Sequence, residues 1–337
     1  MRTIAVFFIL VSMFFSGQVL NGEEQGTKSA YAFSAVPTIG LFWGKAKEIL
    51  YKYPDAKTPV SQLLWDLKPL VYAGTDLEFG PRDPFIKNGV SAGVSLKFGF
   101  PFVSGIMEDR DWAAPDEDYL TNYSRHDALS NGVFMVDMSA GFSWPILSMM
   151  TVRIYGEFSY HRFSWTSEDG YIQYPKNASG SYQYDQPWNA DLDKDPVYGT
   201  GITYTQNWLM FSPGLYFGLK ISRYFFAGCF AALTPFIYAV CVDDHLLPLS
   251  AGKQYTRGED YLTGGFSAKA GLNVSFSPKE GLEFTLMAGF RNISGSRGDS
   301  YNMNMGLNTG GSFSLSPYDG GAGLLVLDTA LSAKIQL

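Results

Sequence analysis

Histidine is the usual general base near neutral pH, and this chain has three: His126, His161 and His245. His245 stands in the stretch "CVDDHLLP", with Asp243 two residues before it. On an extended segment, side chains at i and i+2 project from one face. The Asp243 carboxylate can therefore reach the imidazole, fix its tautomer and raise its basicity. A second acidic cluster lies in "MEDRDWAAP", where Asp109 and Asp111 share a face by the same rule. Two close carboxylates do not both ionise easily, so one of them holds a proton near neutral pH. An Asp-x-Asp pair and an Asp-x-His pair that meet at one mouth could hold a water between them. The imidazole would deprotonate that water for attack on a carbonyl, with no serine or cysteine nucleophile. The competing reading is bland: Asp-rich loops solvate a rim. On spacing alone the bland reading carries more weight.

Whatever positions these pairs must be built from strands. Read for period two, the chain resolves into ten strand-like segments near 30–44, 58–75, 88–104, 129–145, 148–167, 200–219, 222–240, 260–276, 281–293 and 322–337. Alternation is clearest in "VFMVDMSAGFSW" and "VRIYGEFSYHRFSW". The linkers at Pro145-Ile146, Lys220-Ile221-Ser222 and Ser277-Pro278-Lys279 are very short, and 76–87 is somewhat longer. Between them lie long polar stretches at 45–57, 105–128, 168–199, 241–259 and 294–321. Short turns alternating with long loops are the asymmetry of an up-and-down barrel in a bacterial outer membrane. A secreted β-sandwich, the main rival, predicts no such alternation. The expected fold is thus all-β: a ten-stranded antiparallel transmembrane barrel over 23–337. Both residue pairs are assigned to the bases of long loops, hence to one rim. The final "ALSAKIQL" alternates as a closing strand should, although it ends in Leu337 rather than an aromatic residue.

Composition agrees. Aromatic residues are 16% and charged residues only 17% of the chain, with 36 glycines; an apolar outer band, aromatic girdles and glycine-bearing strands need that mixture. The start, Met-Arg-Thr-Ile followed by apolar Ala5–Phe15, has the layout of a secretory signal peptide. Residues 1–22 are assigned to it, with cleavage between Gly17 and Gly22. A net charge of −7 argues against nucleic acid as a partner. Cys229 and Cys241 are too few to define a disulfide framework.

The segment "GLFWGKAKEILYKYPDAKTPVSQLLWDLKP" resembles the N-terminal signature of the omptin family of outer-membrane proteases. The matching elements are Gly44-Lys45-x-Lys47-Glu48-x-x-Tyr51 and Ser61-Gln62-Leu63-x-Trp65-x-x-Lys68. "MEDRDW", followed by Ser124-Arg125-His126, resembles the family's catalytic aspartate segment, and "VDDH" its Asp-x-His segment. The blocks occur in family order from about residue 33 to the C-terminus, weakest in 168–199 and 294–321. The resemblance implies a ten-stranded barrel with endopeptidase activity, needing no metal or cofactor. Asp109 with Asp111 would be one couple and Asp243 with His245 the other, with the nucleophilic water between Asp109 and His245. Glu48 matches the acid that receives a basic side chain in the S1 pocket. Trp112 and His126 match rim positions, where a structural role weighs as heavily as a catalytic one.

The sequence departs from the family at three places. Cys241 stands where the family has a second S1 aspartate, which leaves Glu48 as the assigned anchor and implies a weakened preference for basic P1 residues. Asn122 stands where the family has an acid thought to favour a basic P1′ residue. On the outer wall Arg162 matches a lipopolysaccharide-contact position, but Asn207 replaces an arginine, so a weak lipid site is expected. The expected partners are peptide or protein substrates and outer-membrane lipid, with a monomeric chain whose active site faces outside the cell. The alternatives are a silent omptin-like barrel acting as an adhesin or antigen, and a small passive pore. His161 reads as a surface or lumen residue, the Asn-x-Ser sites as chance, and the Arg-Gly-Asp at 297–299 as a chance motif in a loop.

Overall fold

The computed structural model describes residues 30–52, 59–114, 118–246, 255–305 and 313–336. The signal-peptide assignment, including its cleavage site, lies outside them. The strands are β1 (Tyr31–Lys52), β2 (Pro59–Pro81), β3 (Gly89–Gly99), β4 (Phe102–Asp111), β5 (Asn122–Leu147), β6 (Met150–Gln173), β7 (Asp195–Lys220), β8 (Phe225–Thr234), β9 (Phe236–His245), β10 (Tyr255–Thr263), β11 (Phe266–Lys279), β12 (Leu282–Met305) and β13 (Phe313–Gln336). Three pairs are single strands interrupted once: β3 and β4 at Phe100-Pro101, β8 and β9 at Pro235, β10 and β11 at Gly264-Gly265. Proline cannot donate to a ladder, so an interruption at Pro101 and Pro235 follows from residue type. Counted that way, ten antiparallel strands form a ring, closed by β1 on β13 from Ser34↔Gln336 to Lys52↔Tyr318. The chain is the expected β-barrel.

Side chains alternate between lumen and outer wall. Along β6, Tyr155, Glu157, Ser159, His161, Phe163 and Trp165 point inward, while Ile154, Phe158 and Arg162 face outward. Outward apolar residues such as Phe33, Ile39, Phe98, Phe158, Leu215 and Leu272 form an exposed belt. Such a belt is what hydrocarbon requires of a barrel's exterior. Beyond the belt the outer wall becomes charged, with Lys45 and Lys68 flanking the buried Asp66. The breaks at Pro101, Pro235 and Gly264-Gly265, and the bulges at Gly105 and Gly132, fall near this change of character. They mark the boundary between the belted base and the charged collar.

The strands run further into the collar than their alternation alone indicates. β12 reaches Met305 and β13 begins at Phe313, so most of the expected loop 294–321 is sheet. The Arg-Gly-Asp motif is therefore not in a loop: Arg297, Gly298 and Asp299 pair with Gly321, Gly320 and Asp319 inside β12. The short connections lie at 82–88, 148–149, 221–224 and 280–281, slightly displaced from their expected positions. All are at the barrel end where β1 starts and β13 stops.

Inside, the lumen is divided. A layer of large side chains, Phe42, Trp65, Tyr72, Phe163, Trp165 and Trp208, is fully buried across it. Trp65 stacks on Tyr204 with centroids 5.8 Å apart, and Phe42 on Tyr72 at 4.2 Å. Below this layer a cavity of about 820 Å³ is lined by charged groups. Among them, His161 Nε2 lies 2.9 Å from Asp137, and Arg291 and Lys269 both pair with Glu157. His161 is thus a lumen residue within a structural ion network. Above the layer opens the acidic mouth.

Candidate active site

Asp109 and Asp111 are carried by β4 itself rather than by a loop after it, and Asp243 and His245 by the end of β9. The i, i+2 rule therefore holds as true strand geometry. Its phase in β4 depends on one residue. Ser104 and Met107 both point inward although three apart, because Gly105 forms a bulge between the Val103 and Gly105 registers. Gly105 adopts φ +117°, a conformation side-chain-bearing residues rarely take. The extra residue reverses the alternation and turns Asp109 and Asp111 into the lumen, with Glu108 and Arg110 on the outer wall.

The two couples come from opposite walls. His245 Nε2 donates to Asp243 Oδ2 at 2.8 Å. That bond fixes the tautomer with Nδ1 directed elsewhere. The ring is 46% exposed in the mouth, so a substrate can reach it, while Asp243 is buried. The Asp243 charge, reinforced by Asp109 and Asp111, pushes the imidazole up to about 9. Across the mouth, burial and the neighbouring Asp111 hold the Asp109 carboxyl well above the usual range, and its Oδ1 is buried without a partner. Asp111 is raised by burial as well, offset by hydrogen bonds from Ser61 and Asn122, its cross-strand neighbours on β2 and β5. Asn122, noted in the sequence only for a missing acid, thus orients Asp111.

Glu48, from β1, is buried at the same level. Burial and the charges of Asp243 and Asp260 hold its carboxyl well above the ordinary range. Cys241 is buried on β9, its thiol pushed up by that burial. Cys229 lies on β8, exposed on the outer wall, and both cysteines are free. His126 has both ring nitrogens engaged: Nδ1 with the Asp169 carbonyl at 2.6 Å and Nε2 with Ser124 Oγ at 3.0 Å. Both nitrogens are thus held by the chain. Trp112 lines a rim hollow with Tyr123, Tyr171 and Trp188. Arg162 is exposed on the outer wall, and the adjacent Asn207 is bonded to Tyr160 and to the Val240 carbonyl.

Sequence reasoning missed three residues. Asp260, on β10, is the direct cross-strand partner of Cys241. Tyr174, just past β6, lies close enough to Asp109 and Asp111 for their charges to act on its phenol. Gln206 forms part of the floor, donating to Tyr204 and to the Lys47 carbonyl. No local motif marks them, because each is defined by a neighbour distant in sequence.

The omptin family profile matches residues 29–324. The chain belongs to the omptin family. Among solved structures it is similar to the outer membrane protease OmpT from Escherichia coli, at 17% identity, with 94% of this chain and 100% of that chain covered and a TM-score of 0.75. A lesser likeness is to the translocator domain of the autotransporter NalP from Neisseria meningitidis, at 11% identity, 97% coverage of each chain and a TM-score of 0.32. No curated protein matches the sequence. This omptin-family chain therefore has the barrel of an outer-membrane protease.

Proposed function

We propose that this omptin-family barrel is an endopeptidase in which Asp109 and His245 activate a water between them. The observation that carries the reading is the meeting of two couples at one mouth, with the His245 Nε2–Asp243 bond at 2.8 Å. With Nε2–H committed to Asp243, Nδ1 of the neutral ring is the atom left to accept the water's proton. In this reading Asp109 Oδ1, buried without a partner, accepts the water's other hydrogen. As the water oxygen bonds to the peptide carbon, its proton passes to Nδ1. The imidazolium then gives that proton to the leaving nitrogen, and the C–N bond breaks. A proton shared by the Asp109–Asp111 couple can hydrogen-bond the carbonyl oxygen as its charge develops. Glu48 supports a preference for basic P1 residues. The collar and its long loops face outside the cell and the short turns face the periplasm. The protein is exported on residues 1–22 and works as a monomer.

The reading is tested with refolded protein and a peptide library. Asp243→Asn and His245→Ala should each lower kcat by roughly 10²–10⁴-fold, while the barrel still folds by circular dichroism. Near-parent activity in folded His245→Ala would sink the mechanism. A serine-directed fluorophosphonate should leave activity intact.

The outer wall supports a second element of the proposal. A phosphorylated headgroup needs several cations in a fixed array, because one exposed ion pair contributes only ~0–1 kcal/mol. Arg162 beside Asn207 is a thin array. Peptide cleavage in detergent should therefore change little on adding lipopolysaccharide. Strict dependence that disappears in Arg162→Ala would show a working lipid site there.

A further inference from the structure

The phase of β4, on which the Asp109–Asp111 couple depends, turns on a residue of β2. The β2–β4 ladder runs from Ser61↔Asp111 to Trp65↔Met107 and stops there. The next residue on β2 is Asp66. Trp65 and Leu67 on either side of it belong to the buried core, so alternation assigns Asp66 to the outer wall. An acid on an outer wall is ordinarily exposed, yet Asp66 is only 2% exposed. Its side chain lies along the wall, in the notch at the bulge. Oδ2 accepts the backbone N–H of Ile106 at 3.3 Å, taking up the contact where the ladder has stopped. A Cβ on Gly105 would lie 2.7 Å from Asp66 Cβ and 2.8 Å from Oδ2. The space that the glycine leaves open is thus the space that Asp66 fills.

Two cations keep the carboxylate in that notch. Lys68 Nζ donates to Oδ2 at 2.6 Å, and Lys45 Nζ stands 3.4 Å from Oδ1. Both lysines are 57% exposed, so each pair adds little stability by itself. Together they satisfy a charge that would be costly to bury alone, and they fix its direction. The bond to Ile106 falls on the stretch of β4 where the extra residue is accommodated. Without that bond β4 can slip by one residue, and such a slip turns every side chain to the other face. Glu108 and Arg110 would then enter the mouth, and Asp109 and Asp111 would leave it.

We propose that Asp66 is a positioning residue for the aspartate couple: it clamps the β4 bulge from the outer wall and so holds Asp109 and Asp111 in the mouth. Its consequence for rate rests on the endopeptidase reading; its consequence for which side chains face His245 does not. The acids facing that imidazole are Asp243 from β9 and Asp109 and Asp111 from β4, while its cross-strand neighbours Ile202 and Thr256 carry no charge. A slip exchanges two acids for one acid and one cation, which weakens the attraction that keeps His245 protonated.

The experiment follows the His245 imidazole by carbon-13 NMR on refolded, histidine-labelled barrel, with kcat and KM measured on one peptide. The signal is identified by its loss in His245→Ala. In Asp66→Ala the His245 midpoint should fall by about half a unit or more. The kcat of that variant should fall roughly tenfold or more, with KM within about threefold of the parent. Asp66→Asn, whose amide oxygen can still accept from Ile106, should recover most of each change. Asp66→Ser carries the expectations of Asp66→Ala and takes its place if the alanine variant does not refold. A lower melting temperature in Asp66→Ala with the parent's His245 midpoint and kcat would reduce Asp66 to a stabilising contact and overturn the proposal. So would an Asp66→Asn variant that matches Asp66→Ala in both, since the effect would then follow the charge rather than the bond. A midpoint that falls in Asp66→Ala and returns in Asp66→Asn, on a barrel that cleaves no peptide, supports the clamp and removes the hydrolysis reading instead.

Discussion

The imidazole of His245 is an unusual base, because its surroundings favour the protonated form. Asp243 is bonded to it, and Asp109 and Asp111 face it. A base raised to about 9 is mostly occupied by a proton at neutral pH and becomes free as pH rises through that value. The rate kcat/KM should therefore climb from pH 6 toward pH 9. In Asp243→Asn the main source of the upward shift is gone, so the residual activity should titrate nearer the ordinary histidine value. A profile that is flat from pH 6 to 9 in the parent would exclude His245 as the proton acceptor. Linkage gives the stability counterpart. A histidine raised on folding contributes stability in full below its unfolded pKa, and the contribution fades as pH rises through about 9. The same carboxylate that strengthens the base thus ties it to a proton.

Strands, more than loops, determine where these residues point. Asp109 and Asp111 were legible as a pair because an i, i+2 relation needs only local extension. Their assignment to a loop was wrong for a physical reason: the bulge at Gly105 breaks the alternation that marks a strand, so the pattern seems to end where the strand continues. Likewise β8 and β9 read as one segment ending at 240, and the polar "DDH" at its end hides five more paired residues, Cys241 to His245. Asp260 was illegible because its meaning lies in the register β9–β10, set by pairings rather than by composition. The bulge can be tested directly. Gly105→Ala places a Cβ at φ +117°, 2.7 Å from the Asp66 side chain. Strain of this kind costs about 1–3 kcal/mol, so the variant should melt lower. It should also lose activity, since relieving the strain re-phases β4. Parent-like melting and turnover would mean that β4 keeps its phase by other contacts.

At the scale of the molecule, the sequence conveyed the barrel through the rhythm of its connections, while the partition of the lumen depended on side chains from strands far apart. Phe42, Trp65, Phe163, Trp165 and Trp208 come from β1, β2, β6 and β7, yet they close one cross-section. Ten strands enclose little space beyond side chains, and here that space is filled at the layer beneath the mouth. The passive-pore reading predicts a continuous aqueous path, and among the described residues this layer of fully buried side chains stands across it. In planar bilayers the reconstituted protein should show no steady conductance steps. Replacing Trp65 and Trp165 together with alanine should open intermittent ones. Stable channels in the parent would show that the aromatic layer does not seal.

The interruptions at Pro101, Pro235 and Gly264-Gly265 have a mechanical meaning. Lipid chains squeeze the lower wall, and that squeeze varies with bilayer thickness and fluidity as growth temperature changes. A wall of unbroken ladders would pass the deformation straight up to the carboxylates and the imidazole, whose separations tolerate little error. Three of the ten strands are broken near the top of the apolar belt, while β1, β2, β5, β6, β7, β12 and β13 run through it, so missing hydrogen bonds soften the wall at three seams and leave the two tiers joined elsewhere. The collar is in this sense carried on a stiff frame with three soft seams, which are where a change in the membrane beneath it would be absorbed first.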